Sequence, residues 1–295
     1  MKQSPYILVV NGAKVRRPVF VLGAPHSGVG LLAHALSRSP GFHLTTGHEG
    51  VLRAVYAVAR RPSVAEGKAT GAASLLRDAF AEAWHLTPHT CPRCGAGPRS
   101  ARESAGPCPH AGEVEHYGDA SPDLLYSAAA LDTAFDNAAF VQIIRDGRDV
   151  VADMLDDEQT LAWFRPGMAN LDQELPNPFF GIEDEDERRA YRTMSMAAKC
   201  ALRWRSAVRL SARLRGTLGA DRLKTLRYED VCGDEVRAAE ELREFTGARV
   251  SAVELMRTES PGIGSWRSRL SAEQGDDVLA SARPELERLG YLRPA

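Results

Sequence analysis

The chain has 295 residues, 44% of them hydrophobic, with 37 Lys and Arg against 39 Asp and Glu for a formal net charge of −2. That is enough apolar material for one sizeable core, so a single domain over 1–295 is expected, and the near-neutral balance excludes bulk nucleic-acid binding. No apolar stretch reaches the ~20 residues of a membrane span, and the run Ile7–Val10 is too short for a secretory signal. A cytoplasmic protein with no membrane or nucleic-acid partner is the expectation.

Val19-Phe-Val-Leu22 is a continuous apolar run and predicts a buried strand over 18–23. It feeds Gly23-Ala-Pro-His-Ser-Gly28, then a helix from about Gly28 to Ser37 that Pro40-Gly41 ends. Strand, glycine loop and helix together make an anion cradle, because free backbone N–H groups and the positive helix end point at one phosphate. Gly23 and Gly28 keep the G-x-x-x-x-G spacing of a phosphate loop. Val29 and Gly30 stand where a loop that cleaves nucleoside triphosphates needs Lys and Ser/Thr. A small-molecule kinase is therefore the weaker alternative.

Phe42 to Thr46 predicts a short strand, and 51–60 is apolar at helical spacing. Residues 87–122 are rich in Gly, Pro, Cys and Ser without periodicity, and 87–118 reads as an irregular insertion. Ser121-Pro122 looks like a helix start, with the helix running to about Asp132. Phe140-Val-Gln-Ile-Ile144 predicts a second buried strand that delivers Arg145 and Arg148 to the same rim of a parallel sheet, with a helix following from Gly147. Two phosphate sites about one nucleotide apart suggest a doubly phosphorylated nucleotide.

Residues 156–185 form a second irregular stretch with Trp163, Phe164, Phe179 and Phe180, expected to be a lid over an acceptor or else to dock onto the body. The acids of 183–187 suit a helix N-terminus. Residues 188–218 read as one long helix around Trp204, with Arg203, Arg205, Arg209 and Arg213 on a solvated basic face. A strand at 223–226 and helices at 234–246 and 271–289 complete the chain. Strands alternating with helices indicate a three-layer α/β/α fold with a central parallel sheet.

The cysteines carry a separate signal. Cys91-Pro-Arg-Cys94 is a knuckle that aims two thiolates at one metal, and Cys108-Pro-His110 follows at a distance that closes a loop. Three Cys and one His make a tetrahedral zinc set, structural because no position stays open. His85, His89 and His116 are alternative fourth ligands, and free thiols are the alternative to a metal. Cys200 and Cys232 stand alone.

Five segments in order resemble the PAPS-dependent sulfotransferases of bacterial type. They are Gly23–Gly28, Ile143-Ile-Arg-Asp-Gly-Arg-Asp-Val-Val151, Leu226-Arg-Tyr-Glu-Asp-Val231, Gly264-Ser-Trp-Arg-Ser-Arg-Leu270 and Leu286-Glu-Arg-Leu-Gly-Tyr291. The resemblance implies a P-loop NTPase-like sulfotransferase fold. It also implies transfer of a sulfuryl group from PAPS to a hydroxyl or amine of a small-molecule or glycan acceptor, releasing PAP.

By the same resemblance the 5′ loop binds through the backbone of Ser27, Gly28, Val29, Gly30 and Leu31. His26 stands where the family has Lys or Arg. Arg145 is expected on the 3′-phosphate, with Arg148 as second candidate, and Asp153 replaces the family's Ser. Tyr228 lies near adenine. Trp266 and Arg267 belong to the closing loop, with Arg257 and Arg269 as alternative cations. Glu49 is the expected general base, then His48, then Asp119. A homodimer is possible. The departures at His26, Val29, Gly30, Ala120 and Asp153 motivate the other alternative, an inactive binding protein of this fold.

Overall fold

The computed structural model describes residues 7–66, 70–91, 94, 108–165, 174–256 and 262–293. A small hairpin, β1 (Val9–Val10) against β2 (Ala13–Lys14), precedes the main sheet. That sheet contains β3 (Val19–Leu22), β4 (Phe42–Thr45), β5 (His116–Asp119), β6 (Ala139–Ile144) and β7 (Leu223–Arg227). The order is β4-β5-β3-β6-β7 and every pairing is parallel.

Alternation along β3 sorts the core into two halves. Phe20 and Leu22 pack with Phe140, Val51, Leu76, Val150 and Leu286 on one face. Val19 and Val21 pack with Val141, Ile143, Leu32 and Leu242 on the other. A strand buried on both faces is mostly apolar, which is why β3, and β6 apart from the buried Gln142, are legible as apolar runs.

Nine helices of seven residues or more flank the sheet among the described residues: α1 (Val29–Ser37), α2 (Glu49–Ala59), α3 (Thr70–Ala83), α4 (Ala128–Ala134), α5 (Gly147–Leu155), α6 (Glu185–Tyr191), α7 (Met196–Leu218), α8 (Glu235–Thr246) and α9 (Ala272–Arg288). Helices cover both faces, so the fold is the expected three-layer α/β/α arrangement. Among the described residues no helix is long and apolar enough to cross a membrane.

Three local expectations are corrected, and one element is added. The irregular insertion expected over 87–118 contains most of β5, the second strand of the sheet; His116-Tyr-Gly-Asp119 has no apolar run, and its partners β4 and β3 bury it. Helix α3 is an element the sequence pattern does not announce. The helix read over 188–218 breaks between α6 and α7, where the Ser195 side chain accepts from the Ala198 N–H and starts α7 afresh. The expected basic face of α7 is partly interior: Arg203 and Arg205 are buried, paired with Asp123 and Glu187 at 2.6 and 2.7 Å.

Candidate active site

The C-terminal ends of the strands converge on one rim. β3 ends at Leu22, and the chain turns through 23–28 into α1. Gly28 has φ +104°, and a Cβ there would lie 2.6 Å from Tyr228 Cδ2, so only glycine lets the loop pass over that ring. His26 also adopts a left-handed conformation, φ +60°. Its carbonyl is held by the Arg145 Nη1 donor at 2.9 Å. The Leu31 and Leu32 N–H groups donate to the Gly28 carbonyl, so the N–H groups at the very start of α1 have no intrahelical partner. The Ser27 N–H donates to the Ala24 carbonyl, so two of the expected backbone donors, Ser27 and Leu31, are committed within the loop.

The loop and α1 form one wall of a cavity of about 820 Å³. Tyr56 and Trp163 also line it, their ring centroids 4.7 Å apart. Phe164, Phe179 and Phe180 are buried in the body, so of the four aromatics of 156–185 only Trp163 faces the cavity; 166–173 lie outside the described residues. The Asp123–Arg203 pair also lines the cavity. Burial, reinforced by the Asp123 carboxylate, pushes the Tyr56 hydroxyl up to about 12.

His26 has a partner the sequence does not announce. Its Nε2 lies 3.0 Å from Asp157 Oδ2, and both residues line the cavity. Asp157 also accepts from Thr160 Oγ1 at 2.6 Å and from the Gln159 N–H at 2.9 Å. Burial pushes the Asp157 carboxyl up, but the bonds from Thr160, Gln159 and His26 together bring it below its usual range. Asp157-x-x-Thr160 is readable as a helix cap. Its reach to residue 26 is not.

Asp119, at the end of β5, is fully buried, accepting from Thr45 Oγ1 at 2.6 Å and from the Ser121 N–H at 2.7 Å. Burial pushes its carboxyl up to about 6 against those two bonds. Glu49, expected as the base, lies 79% exposed at the start of α2, paired with Arg53 one helical turn on, and does not line the cavity. The expected base therefore stands off the cavity wall. His48 is half-buried with Nδ1 buried and unpartnered, and it too stands off the cavity wall.

The second rim segment departs from expectation in the same way. Arg145 is fully buried; its Nη1 donates to Asp153 Oδ2 at 2.6 Å, and its guanidinium lies 4.6 Å above the Tyr228 ring. Arg269 bonds the other oxygen of Asp153 and reaches Asp156 at 2.7 Å. Arg148 is paired with Asp146 at 2.7 Å, donates to the Tyr291 carbonyl and stacks on Trp266. Arg267 is exposed above Trp266, and Arg257 lies outside the described residues. The 5′ end of a phosphosulfate nucleotide fits the loop, where N–H groups and space are available. On Arg145, Nη1 serves both the Asp153 carboxylate and the His26 carbonyl.

The cysteine knuckle assembles as expected. Cys91, Cys94, Cys108 and His110 bring their ligand atoms within 4.8 Å of one another. His110 Nδ1 lies 3.3, 3.6 and 4.0 Å from the sulfurs of Cys94, Cys91 and Cys108, and Cys94 Sγ lies 3.7 Å from Cys108 Sγ. Ligands on a zinc tetrahedron stand roughly 3.5–3.8 Å apart, so this Cys₃His set could hold a metal. It lies away from the cavity.

A sequence model described as the sulfotransferase family matches residues 18–252. No curated protein matches the chain. Among solved structures, the sulfotransferase domain of the Synechococcus PCC 7002 olefin synthase is 18% identical, covering 95% of this chain and 97% of its own, with a TM-score of 0.50. A sulfotransferase from Alicyclobacillus acidocaldarius is 16% identical over 95% of this chain and 98% of its own, at 0.44. A mouse sulfotransferase solved with PAP is 12% identical over 94% and 86%, at 0.45.

Proposed function

The chain belongs to the sulfotransferase family, and we propose that it moves a sulfuryl group from PAPS to a hydroxyl or amine of a small-molecule or glycan acceptor, releasing PAP. The observation that carries this reading is the glycine loop opening into α1 on the wall of a cavity that faces Tyr56 and Trp163. One side of that space offers backbone donors for a phosphosulfate, and the other offers ring surface for an acceptor.

The donor brings an activated sulfuryl group on a phosphate leaving group. The chain itself has to hold two partners in line and to stabilise charge on the leaving phosphate. The N–H groups at the start of α1 and the positive end of that helix do the second job. His26, steadied by Asp157, stands beside them and in its protonated form donates to the bridging oxygen. The Cys₃His set takes a structural zinc in this reading, tying the ends of an insertion with few apolar residues.

Incubation with PAPS labelled in the sulfuryl group, against a panel of phenols, amines and sugars, should move label onto an acceptor. PAP binding with no transfer to any acceptor would favour the alternative of a binding protein of this fold.

A further inference from the structure

Sulfuryl transfer to a hydroxyl needs a group that takes the acceptor's proton. Glu49 and His48 stand off the cavity wall, and Asp119 does not line it either. Among the described residues two carboxylates do line it, Asp123 and Asp157. Asp157 is committed beside the phosphate loop, bonded to His26, Thr160 and the Gln159 N–H. His34, also on the wall, is tied to Glu254 at 2.8 Å. Asp123 is the carboxylate that remains.

Topology puts Asp123 on the rim of the phosphate loop. β5 and β3 are parallel neighbours in the sheet, so the turn after β5 opens on the same side as the loop after β3. Asp123 lies in that turn in a left-handed conformation, φ +63°. It is buried, and Arg203 Nη2 donates to its Oδ1 at 2.6 Å. Among the described residues Oδ2 takes no hydrogen bond of good geometry. The Tyr56 hydroxyl reaches the same carboxylate from α2. Arg203 comes from α7, its guanidinium 4.2 Å above the Phe179 ring. A buried carboxylate thus has its counter-ion on one side and keeps one oxygen for a ligand.

Resting on the sulfuryl-transfer reading above, we propose that Asp123 is the general base toward a phenolic acceptor. The phenol oxygen attacks sulfur as its proton passes to Asp123 Oδ2. The new O–S bond forms while the bond from sulfur to the bridging oxygen breaks, and that electron pair leaves on the 5′-phosphate of PAP. Carboxylates are weak bases, so the comparatively acidic proton of a phenol suits one better than that of an alkyl alcohol. The Tyr56 and Trp163 rings supply surface for such an acceptor.

Rates of the full-length protein with PAPS and two acceptors test this. Phenol keeps its proton near neutral pH, as a tyrosine side chain does. Para-nitrophenol is largely ionised at about pH 8 and needs no base. Asp123→Asn should slow transfer to phenol about a hundredfold and transfer to para-nitrophenol less than about fivefold, with PAP affinity unchanged. A merely structural role would cost both acceptors alike. If Asn leaves Arg203 buried without its counter-ion and the variant unfolds, Asp123→Asn combined with Arg203→Met removes both charges together. That double variant should show the same split between acceptors. Equal losses with the two acceptors, no loss with phenol, or transfer to alkyl alcohols or amines alone overturns the proposal. If the wild type binds PAP but moves the sulfuryl group to no acceptor, the transfer reading itself falls and this inference falls with it.

Discussion

Asp157 reaches from the cap of the 158–162 turn to His26 in the phosphate loop, Oδ2 to Nε2, at 3.0 Å. Both residues border the cavity. The pair engages Nε2 and leaves Nδ1 outside it. His26→Ala should lower kcat about 10²-fold, the lower end of what a positioned proton donor supplies. Asp157→Asn should lower it less, on the order of tenfold, because the imidazole remains but is less firmly oriented. Steady-state rates at saturating donor and acceptor, with unfolding midpoints as a control, check both.

Glu49→Gln should leave turnover within about twofold of the wild type. The side chain is exposed and its partner is Arg53 on the same helix, a contact worth about 0.3–0.5 kcal/mol at most. A loss of turnover above tenfold would return Glu49 to the mechanism and require α2 to move.

Asp119 gives a pH signature with a definite sign. Its folded-state carboxyl sits at about 6 because burial opposes the charged form, above the ~3.9 of an unfolded chain. Between those values the folded state holds more protons than the unfolded state, so this group's contribution falls as pH rises from about 4 to about 6 and is level above that. The whole span is on the order of 3 kcal/mol. Denaturant unfolding of wild type and Asp119→Asn across pH 4–7 should show the variant gaining on the wild type by roughly that amount as pH rises.

Metal analysis of protein purified without chelator should give about one zinc per chain, and Cys94→Ser should lose it. Stripping the metal should lower the unfolding midpoint by ~5–10 °C, corresponding to roughly 3–6 kcal/mol in a chain of this size. PAP affinity should not change, since the Cys₃His set lies off the cavity wall.

Gly28→Ala should cost about 2 kcal/mol of stability, from a Cβ driven against the Tyr228 ring and a φ that alanine resists. Nucleotide binding should weaken along with it, because the turn that aims the N–H groups cannot keep its path. Unfolding and PAP titration of the same preparation separate the two effects.

Local pattern was sufficient for the elements whose signal is local. The largely apolar runs 19–22 and 140–144 became β3 and β6 because strands covered on both faces are mostly apolar, Gln142 being the one buried polar side chain between them. The glycine spacing of 23–28 announced the turn that opens α1, and the Cys and His spacing announced a cluster that could hold a metal. These features depend on residues near one another in the chain.

Whatever depended on distant residues was decided by packing. β5 has no apolar run, and β4 and β3 make it a strand by hydrogen-bonding it on both sides. Arg203 and Arg205 looked like a wet face of α7, yet Asp123 and Glu187 draw them inside. The partners of His26, Arg145 and Arg269 come from positions separated by 131, 8 and 116 residues. A charged side chain shows its type in the sequence but not its counter-ion. Which arginine is open to a ligand and which is already answered by a carboxylate is therefore settled only when the sheet brings the loops to one rim, where the cost of burying an unpaired charge selects the pairs that form.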